Sequence, residues 1–245
     1  MIRSLESMRR LTQNSLAMTQ PTTTDRSLCA KTRSILQLAL LLSAITVLTC
    51  PLAQAQRPRE VFDRAVSDFQ KGRIEASVAA FDQLVQLEPD ALPQLWQRGI
   101  ALYYAGRFKD CRAQFESHRT VNPSDVENAA WHFLCVARAE SPAKAKAALL
   151  PVGLDSRVPM SQIYEMLRGE LTVEQVLKAG GTQPEGQFYA ELYSGLYLEA
   201  LGNAAQALTH IRNAAADRYS GSGYMHDVAR VHRDRLVQRQ SPAKR

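Results

Sequence analysis

The sequence lacks the residue patterns on which most enzymes and metal sites depend. It has no His-Glu-x-x-His pair, no Gly-x-Ser-x-Gly turn and no phosphate-binding glycine loop followed by Lys-Ser or Lys-Thr. His226 and His232 share one predicted helix but lie six positions apart, whereas ligands on one helix face need a separation of three or four. We therefore expect a protein that is not an enzyme and that binds no metal or cofactor.

A strong charge imbalance is also missing once positions 1–55 are set aside. The whole chain has a formal net charge of +6, but positions 1–55 hold six of the 30 basic residues and two of the 24 acidic ones, so positions 56–245 carry only +2. A surface that binds nucleic acid needs a much larger basic excess. The charge pattern therefore argues against nucleic acid as a partner.

Cysteine is scarce, and only Cys111 and Cys135 follow position 55. They are not spaced as a metal site or a redox pair. Both fall on apolar faces of predicted helices, where cysteine behaves as a small hydrophobic residue. A disulfide bond between them is compatible with an oxidising compartment, and the sequence leaves open whether they pair.

Residues 1–55 are typical of a secretory signal peptide. Three basic residues between positions 26 and 33 precede an uncharged, mostly apolar run at positions 35–48, and Ala53-Gln54-Ala55 places small residues at a cleavage site. We expect cleavage after Ala55 and an exported protein, periplasmic or secreted. The run is short for a membrane span, which needs about 20 apolar residues.

The leader leaves alternatives open. Cys50 follows Val47-Leu48-Thr49, where bacterial lipoproteins carry an acylated cysteine, although the residue before that cysteine is usually Gly, Ala or Ser. Lipidation at Cys50 would tether the chain to a membrane, but one acyl chain does so only marginally. The stretch before the basic flank is long for a leader, so a start at Met1, Met8 or Met18 fits the pattern.

Residues 56–240 follow helical periodicity almost throughout. Apolar residues recur at intervals of three and four from Ile74 to Val85 and again from Leu95 to Tyr103, whereas the alternation typical of strands is scarce. The sequence therefore predicts an all-α fold.

The strongest signal is an internal repeat. Three pairs of matching residues are separated by one and the same interval: Gly72 and Gly106, Phe81 and Phe115, and Pro89 and Pro123. That interval equals the period of roughly 34 residues of the tetratricopeptide (TPR) unit, in which two helices form a hairpin.

The residues resemble the TPR motif in detail at 58–91, 92–125 and 188–221. The matching motif positions are Gly72, Phe81, Pro89, Gly99, Gly106, Phe115, Pro123, Gly195, Gly202 and Ala207. The absence of a side chain at Gly99 and Gly195 predicts a close approach of the two helices of a hairpin. Gly106 and Gly202, seven positions later, predict that the first helix ends in a left-handed residue. The resemblance implies a right-handed helical solenoid of antiparallel helix pairs that share a core.

The pattern weakens between these units. Residues 126–152 predict a degenerate repeat, 158–180 predict two short helices, and 181–186 predict a loop. Thr172 and Gln175 form a capping-box pattern at the start of the second short helix. Residues 223–239 are predicted to be a capping helix with a polar outer face, followed by a tail at 241–245.

A narrower resemblance is to bacterial periplasmic TPR proteins of the NlpI lipoprotein kind. It rests on residues 163–172 (IYEMLRGELT), on the short helix that follows, and on Phe188-Tyr189 at the start of a full repeat. This resemblance implies an adaptor that organises cell-envelope enzymes or presents them to a protease.

In TPR arrays the first helix of each repeat lines an inner groove. The resemblance implies a groove formed by residues of four such helices: Phe62, Val66, Phe69, Trp96, Ile100, Tyr103, Tyr104, Leu134, Arg138, Leu192, Leu196 and Glu199. An aromatic, partly polar groove suits an extended or helical peptide. Core packing is the alternative interpretation for Phe62, Phe69 and Leu192.

We therefore expect a non-catalytic adaptor of the cell envelope that binds a protein or peptide through this groove. One alternative is a structural envelope component that self-associates into a homo-oligomer. The other is an enzyme with its site in 153–187, where four carboxylates lack a His, Cys or Ser partner pattern: Asp155, Glu165, Glu170 and Glu174.

Overall fold

The computed structural model describes residues 57–240, in which all regular structure is helical. The helices in this range are α1 (57–70), α2 (Ile74–Leu87), a 3-10 helix (Pro89–Gln94), α3 (Trp96–Tyr104), α4 (Phe108–His118), α5 (Val126–Ala139), α6 (Pro142–Ala147), α7 (Met160–Leu167), α8 (Val173–Ala179), α9 (Pro184–Ala200), α10 (Ala204–Ala214), a second 3-10 helix (Asp217–Ser222) and α11 (Tyr224–Gln240). The all-α prediction is confirmed for these residues. The predicted signal peptide, the alternative lipidation at Cys50 and the tail at 241–245 lie outside the described residues.

The same tight turn joins α1 to α2, α3 to α4 and α9 to α10. Each turn has a glycine with a positive φ: 72° at Gly72, 74° at Gly106 and 88° at Gly202. The residue after each glycine donates its backbone N–H to the carbonyl five positions earlier, at 2.8 to 3.0 Å. This arrangement satisfies a carbonyl that the helix end would otherwise leave without a partner, and it confirms the predicted left-handed helix ends.

Two further glycines let paired helices approach closely. A Cβ atom on Gly99 would lie 2.6 Å from Cε2 of Phe115, and one on Gly195 would lie 2.7 Å from Cγ1 of Ile211. Each side chain so approached belongs to the second helix of the same hairpin. The prediction that these positions need small residues is confirmed, because any side chain there would overlap its neighbour.

Neighbouring hairpins share a continuous apolar core. Phe115 of α4 stacks on Trp131 of α5, with ring centroids 6.3 Å apart and an angle of 16° between the rings. Cys111 and Cys135 form a disulfide bond between the same two helices, with their Cα atoms 5.9 Å apart. The second hairpin is therefore joined to the third both by packing and by a covalent bond.

The segment after α5 contains three short helices, α6, α7 and α8, joined by turns and irregular chain. The capping box at Thr172 and Gln175 is present at the start of α8. The predicted loop at 181–186 is wrong in extent, because α9 begins at Pro184. A proline fits the first turn of a helix, since its ring presets φ and its missing N–H has no intrahelical partner there.

Helix α11 differs from the predicted end cap in what it covers. It packs on α10, and Tyr224 at its start also stacks on Phe69 of α1 and meets Trp96 of α3 edge-on, both at a centroid distance of 5.3 Å. Its buried residues are spread over much of its circumference: Met225, His226, Val228, Ala229, Val231, His232 and Leu236. The helix therefore lies along the first helices of several hairpins. Between residues 57 and 240, no helix is both long and apolar enough to cross a bilayer.

Candidate functional site

A pocket of about 470 Å³ lies where α3, α4 and α5 meet the start of α11. We refer to it as the α3–α5 pocket. Helices α3 and α5 are the first helices of two successive hairpins, so the pocket belongs to the face on which the repeat pattern predicts a groove. Met225 of α11 forms one side of it.

The apolar wall of the pocket is aromatic. Trp96, Phe115 and Trp131 line it, and Trp96 and Trp131 are the two tryptophans of the chain. The Phe115–Trp131 stack and the edge-on contact between Trp96 and Tyr224 fix the orientation of these rings. Phe115 and Trp131 are each 1% exposed, so Trp96 is the ring of this wall that offers contact area to a ligand, at a low cost in conformational entropy.

The polar wall is organised around Arg157. Its guanidinium donates to Oδ1 of Asp125 at 2.6 Å, to Oε1 of Glu127 at 2.7 Å and to Oδ2 of Asp155 at 2.6 Å. Asp125 is also the N-cap of α5, because its side chain accepts the backbone N–H of Glu127. Tyr193 donates its hydroxyl to the other oxygen of Glu127 at 2.6 Å.

The pKa is lowered for one carboxyl of this wall and raised for another. Burial opposes the ionisation of Asp155, but hydrogen bonds from Arg157 and from the backbone N–H of Val126 outweigh it, so the pKa of Asp155 is lowered. Burial raises the pKa of Glu127, with a further contribution from the charge of Asp125, and Tyr193 and Arg157 offset only part of this rise. Ionisation is therefore favoured at Asp155 and opposed at Glu127.

Two polar atoms of pocket-lining residues are buried without a hydrogen-bond partner in the described part of the chain. They are Oδ1 of Asn128 and Nε1 of Trp131, on residues that are 3% and 1% exposed. A buried polar atom left without a partner costs about 1–3 kcal/mol, so native structures contain few of them. A ligand that supplies a donor and an acceptor in the pocket would remove this cost.

Most of the predicted groove residues lie under other parts of the protein. Trp96 lines the α3–α5 pocket, and Phe62 and Val66 are partly buried against the core. Seven residues are fully or almost fully buried: Phe69, Ile100, Tyr103, Tyr104, Leu134, Leu192 and Leu196. Their predicted contact with a peptide would require the side chains that cover them to move.

Arg138 and Glu199, the charged members of the predicted groove, form an internal cluster with α11. Oε1 of Glu199 is 2.8 Å from a guanidinium nitrogen of Arg239 and 3.5 Å from one of Arg138, and its Oε2 is 3.2 Å from Nε2 of His232. Burial opposes ionisation of Glu199, but His232, Arg239 and Arg138 outweigh it and lower its pKa to about 2. This cluster joins α9 to α11.

Three of the four carboxylates considered for an enzyme bond an arginine or face solvent. Asp155 bonds Arg157, and Glu170 pairs with Arg168 at 2.7 Å. Glu174 is exposed in the first turn of α8. Among the described residues, no group of three or more His, Cys, Asp or Glu side chains is arranged to hold a metal ion.

Sequence reasoning missed most of the polar wall. Arg157 comes 32 positions after Asp125 and 30 after Glu127, so no local spacing relates them. An acidic N-cap pattern at Asp125 was the one available signal, because Asp directly before a helical run is a common N-cap. Asn128 lies on a helix that is buried around most of its circumference, where periodicity does not distinguish a polar lining residue.

Comparison of the chain with models of known protein families finds no match.

Proposed function

We propose that this chain is an exported, non-catalytic adaptor that binds a polypeptide partner in the α3–α5 pocket. The observation that carries the proposal is the pair of buried, unpartnered polar atoms on Asn128 and Trp131, two residues that line an aromatic pocket. A peptide backbone presents both an N–H donor and a carbonyl acceptor, so one bound segment satisfies both atoms.

The hairpin array supports the TPR-type solenoid as the scaffold of this adaptor. The repeated glycine turns and the close helix contacts at Gly99 and Gly195 are the features that the motif requires. Stacked hairpins of this kind present extended binding surfaces, because each unit adds a first helix to the same face. Here α11 covers part of that face and leaves the α3–α5 pocket for a partner.

The disulfide bond between Cys111 and Cys135 supports export, together with the leader-like sequence before position 56. Disulfide bonds persist in oxidising compartments and are rare in the reducing cytosol. A periplasmic or secreted location is therefore part of the proposal.

Selection of peptides from a random library on the immobilised full-length chain tests this function. We expect the library to yield peptides that bind the parent chain and lose affinity for Asn128→Leu, which removes the buried acceptor at similar volume. Glu75→Gln is the matched control, because Glu75 is exposed and does not line the pocket. Failure to select any peptide, or equal binding to Asn128→Leu, would show that the pocket is not a polypeptide site.

A further inference from the structure

The charges around the α3–α5 pocket identify the side chain that a bound polypeptide would place in it. We infer that the pocket receives the cationic end of a lysine or arginine side chain; this inference rests on the proposed function. The acceptors of the polar wall, the unpartnered oxygen of Asn128 and the ring of Trp96 all favour such a ligand.

Negative charge exceeds positive charge on the polar wall. Among the described residues that line the pocket, Arg157 is the only lysine or arginine, whereas Asp125 and Glu127 are both carboxylates. Asp155 lies behind them and bonds the same guanidinium. Three carboxylates therefore share one guanidinium, and the excess attracts a cation rather than an anion.

The hydrogen-bonding capacity of the wall also favours a cationic ligand over an acidic one. Arg157 uses Nε and both terminal nitrogens on the three carboxylates, so it has little donor capacity left for an acidic ligand. A carboxylate oxygen accepts about two hydrogen bonds. Oδ2 of Asp125 accepts one from Asn122, and Oε2 of Glu127 accepts one from Tyr193, so both oxygens can accept another.

One neutral side chain adds a further acceptor. Oδ1 of Asn128 is buried with no hydrogen bond from any residue in 57–240. The unpartnered Asn128 oxygen is not part of the acidic cluster, and it too can accept a hydrogen bond from a donor on the ligand.

The apolar wall suits the same ligand. Trp96, the less buried of the two tryptophans that line the pocket, lies there together with the charged residues, and tryptophan is the aromatic ring that attracts a cation most strongly. The methylene stem of a lysine or arginine packs well on such rings while its charged end reaches an acceptor. A pocket of about 470 Å³ has room for one such side chain and its flanking backbone.

Intrinsic fluorescence gives a direct test, because both tryptophans of the chain line this pocket. The probes are three peptides, acetyl-Ala-Leu-X-Leu-Ala-amide, in which X is lysine, norleucine or glutamate. We expect the lysine peptide to change the fluorescence of the full-length chain with an affinity at least about ten-fold above that of the norleucine peptide. The glutamate peptide is expected to bind more weakly than either.

Variants at the acidic wall separate charge from shape. Glu127→Gln keeps the size of the side chain and is expected to weaken the lysine peptide about ten-fold while leaving the norleucine peptide unchanged. Asp125→Asn, which retains a good N-cap residue, is a second variant in case the first unfolds. The exposed Glu75→Gln serves as the matched control for loss of one negative charge.

The outcomes are distinct. Equal binding of the lysine and norleucine peptides, or preferred binding of the glutamate peptide, overturns the inference but leaves the proposed function standing. Lack of response to all three peptides also overturns it, and the peptide selection then decides separately whether the pocket binds polypeptide. If the selected library peptides keep their affinity when each Lys and Arg is replaced by norleucine, the inference fails while the function stands.

Discussion

Tyr104 and His232 lie 128 positions apart in the chain, yet Oη of Tyr104 is 3.0 Å from Nδ1 of His232. Both residues are buried, and the hydrogen bond joins α3 to α11. Nε2 of His232 also lies 3.2 Å from Oε2 of Glu199, and Arg239 pairs with the same carboxylate, so polar contacts as well as apolar packing hold the C-terminal helix on the first helices.

Loss of this hydrogen bond is expected to destabilise the protein. Tyr104→Phe leaves Nδ1 of His232 buried without its partner, so we expect the free energy of unfolding to fall by about 1–2 kcal/mol in urea titrations. Tyr197→Phe is the control, because Tyr197 is only partly buried and packs its ring against Phe133. Equal effects of the two substitutions would contradict a specific role for the bond.

The buried Glu199 cluster predicts an acid-sensitive contribution to stability. The pKa of Glu199 is lowered to about 2 in the folded state, so its contribution is complete above the pKa of an unfolded glutamate and is lost as the pH falls towards 2. We expect the parent chain to be more stable than Glu199→Gln at pH 6. The difference in unfolding free energy between the two proteins should be about 2–3 kcal/mol larger at pH 6 than at pH 2. A difference between the two proteins that does not change with pH would contradict the lowered pKa.

The α3–α5 pocket predicts a conflict between stability and binding at Asn128. Asn128→Leu replaces a buried, unpartnered amide oxygen with apolar atoms, so we expect the unfolding free energy to rise by about 1 kcal/mol while affinity for selected peptides is lost. Ser194→Ala is the matched control, because Oγ of Ser194 is also buried and unpartnered in the described structure but Ser194 does not line the pocket. Ser194→Ala should gain stability and still bind the selected peptides. Loss of peptide binding by both variants would argue against a specific site.

The disulfide bond predicts a response to reductant. It joins two cysteines with a sequence separation of 24, and closing a loop of this size contributes about 3 kcal/mol through chain entropy. We expect dithiothreitol to lower the urea midpoint of the parent chain and to leave unchanged that of a Cys111→Ala, Cys135→Ala double variant. An equal response of both proteins would exclude the bond as its cause.

The close contact at Gly99 predicts intolerance of even one added methyl group. Gly99→Ala places Cβ 2.6 Å from the Phe115 ring, and we expect a loss of about 1–3 kcal/mol of unfolding free energy from overpacking. Gly221→Ala is the control, because a Cβ there meets no atom within 4 Å and its φ is not positive. Its stability should stay within about 0.5 kcal/mol of the parent chain in the same thermal or urea titrations.

The helices, their turns and the close approach within each hairpin can be predicted from residue patterns along the chain. These features depend on residues near one another in the chain. Gly106 must follow the end of α3 to form the turn, and Gly99 of α3 must face α4, the helix that follows this turn. The internal repeat makes such local requirements visible, because each hairpin imposes them again.

Which residues lie open and which lie covered depends on the packing of segments that are distant in the chain. Arg157 reaches Glu127 across 30 positions of the chain and Asp125 across 32, and Tyr104 meets His232 across 128. Helix α11 is buried over much of its circumference, so its periodicity does not reveal which partner each side faces. Contacts between distant segments follow from how whole helices pack, and a pattern read along the chain carries no record of that packing.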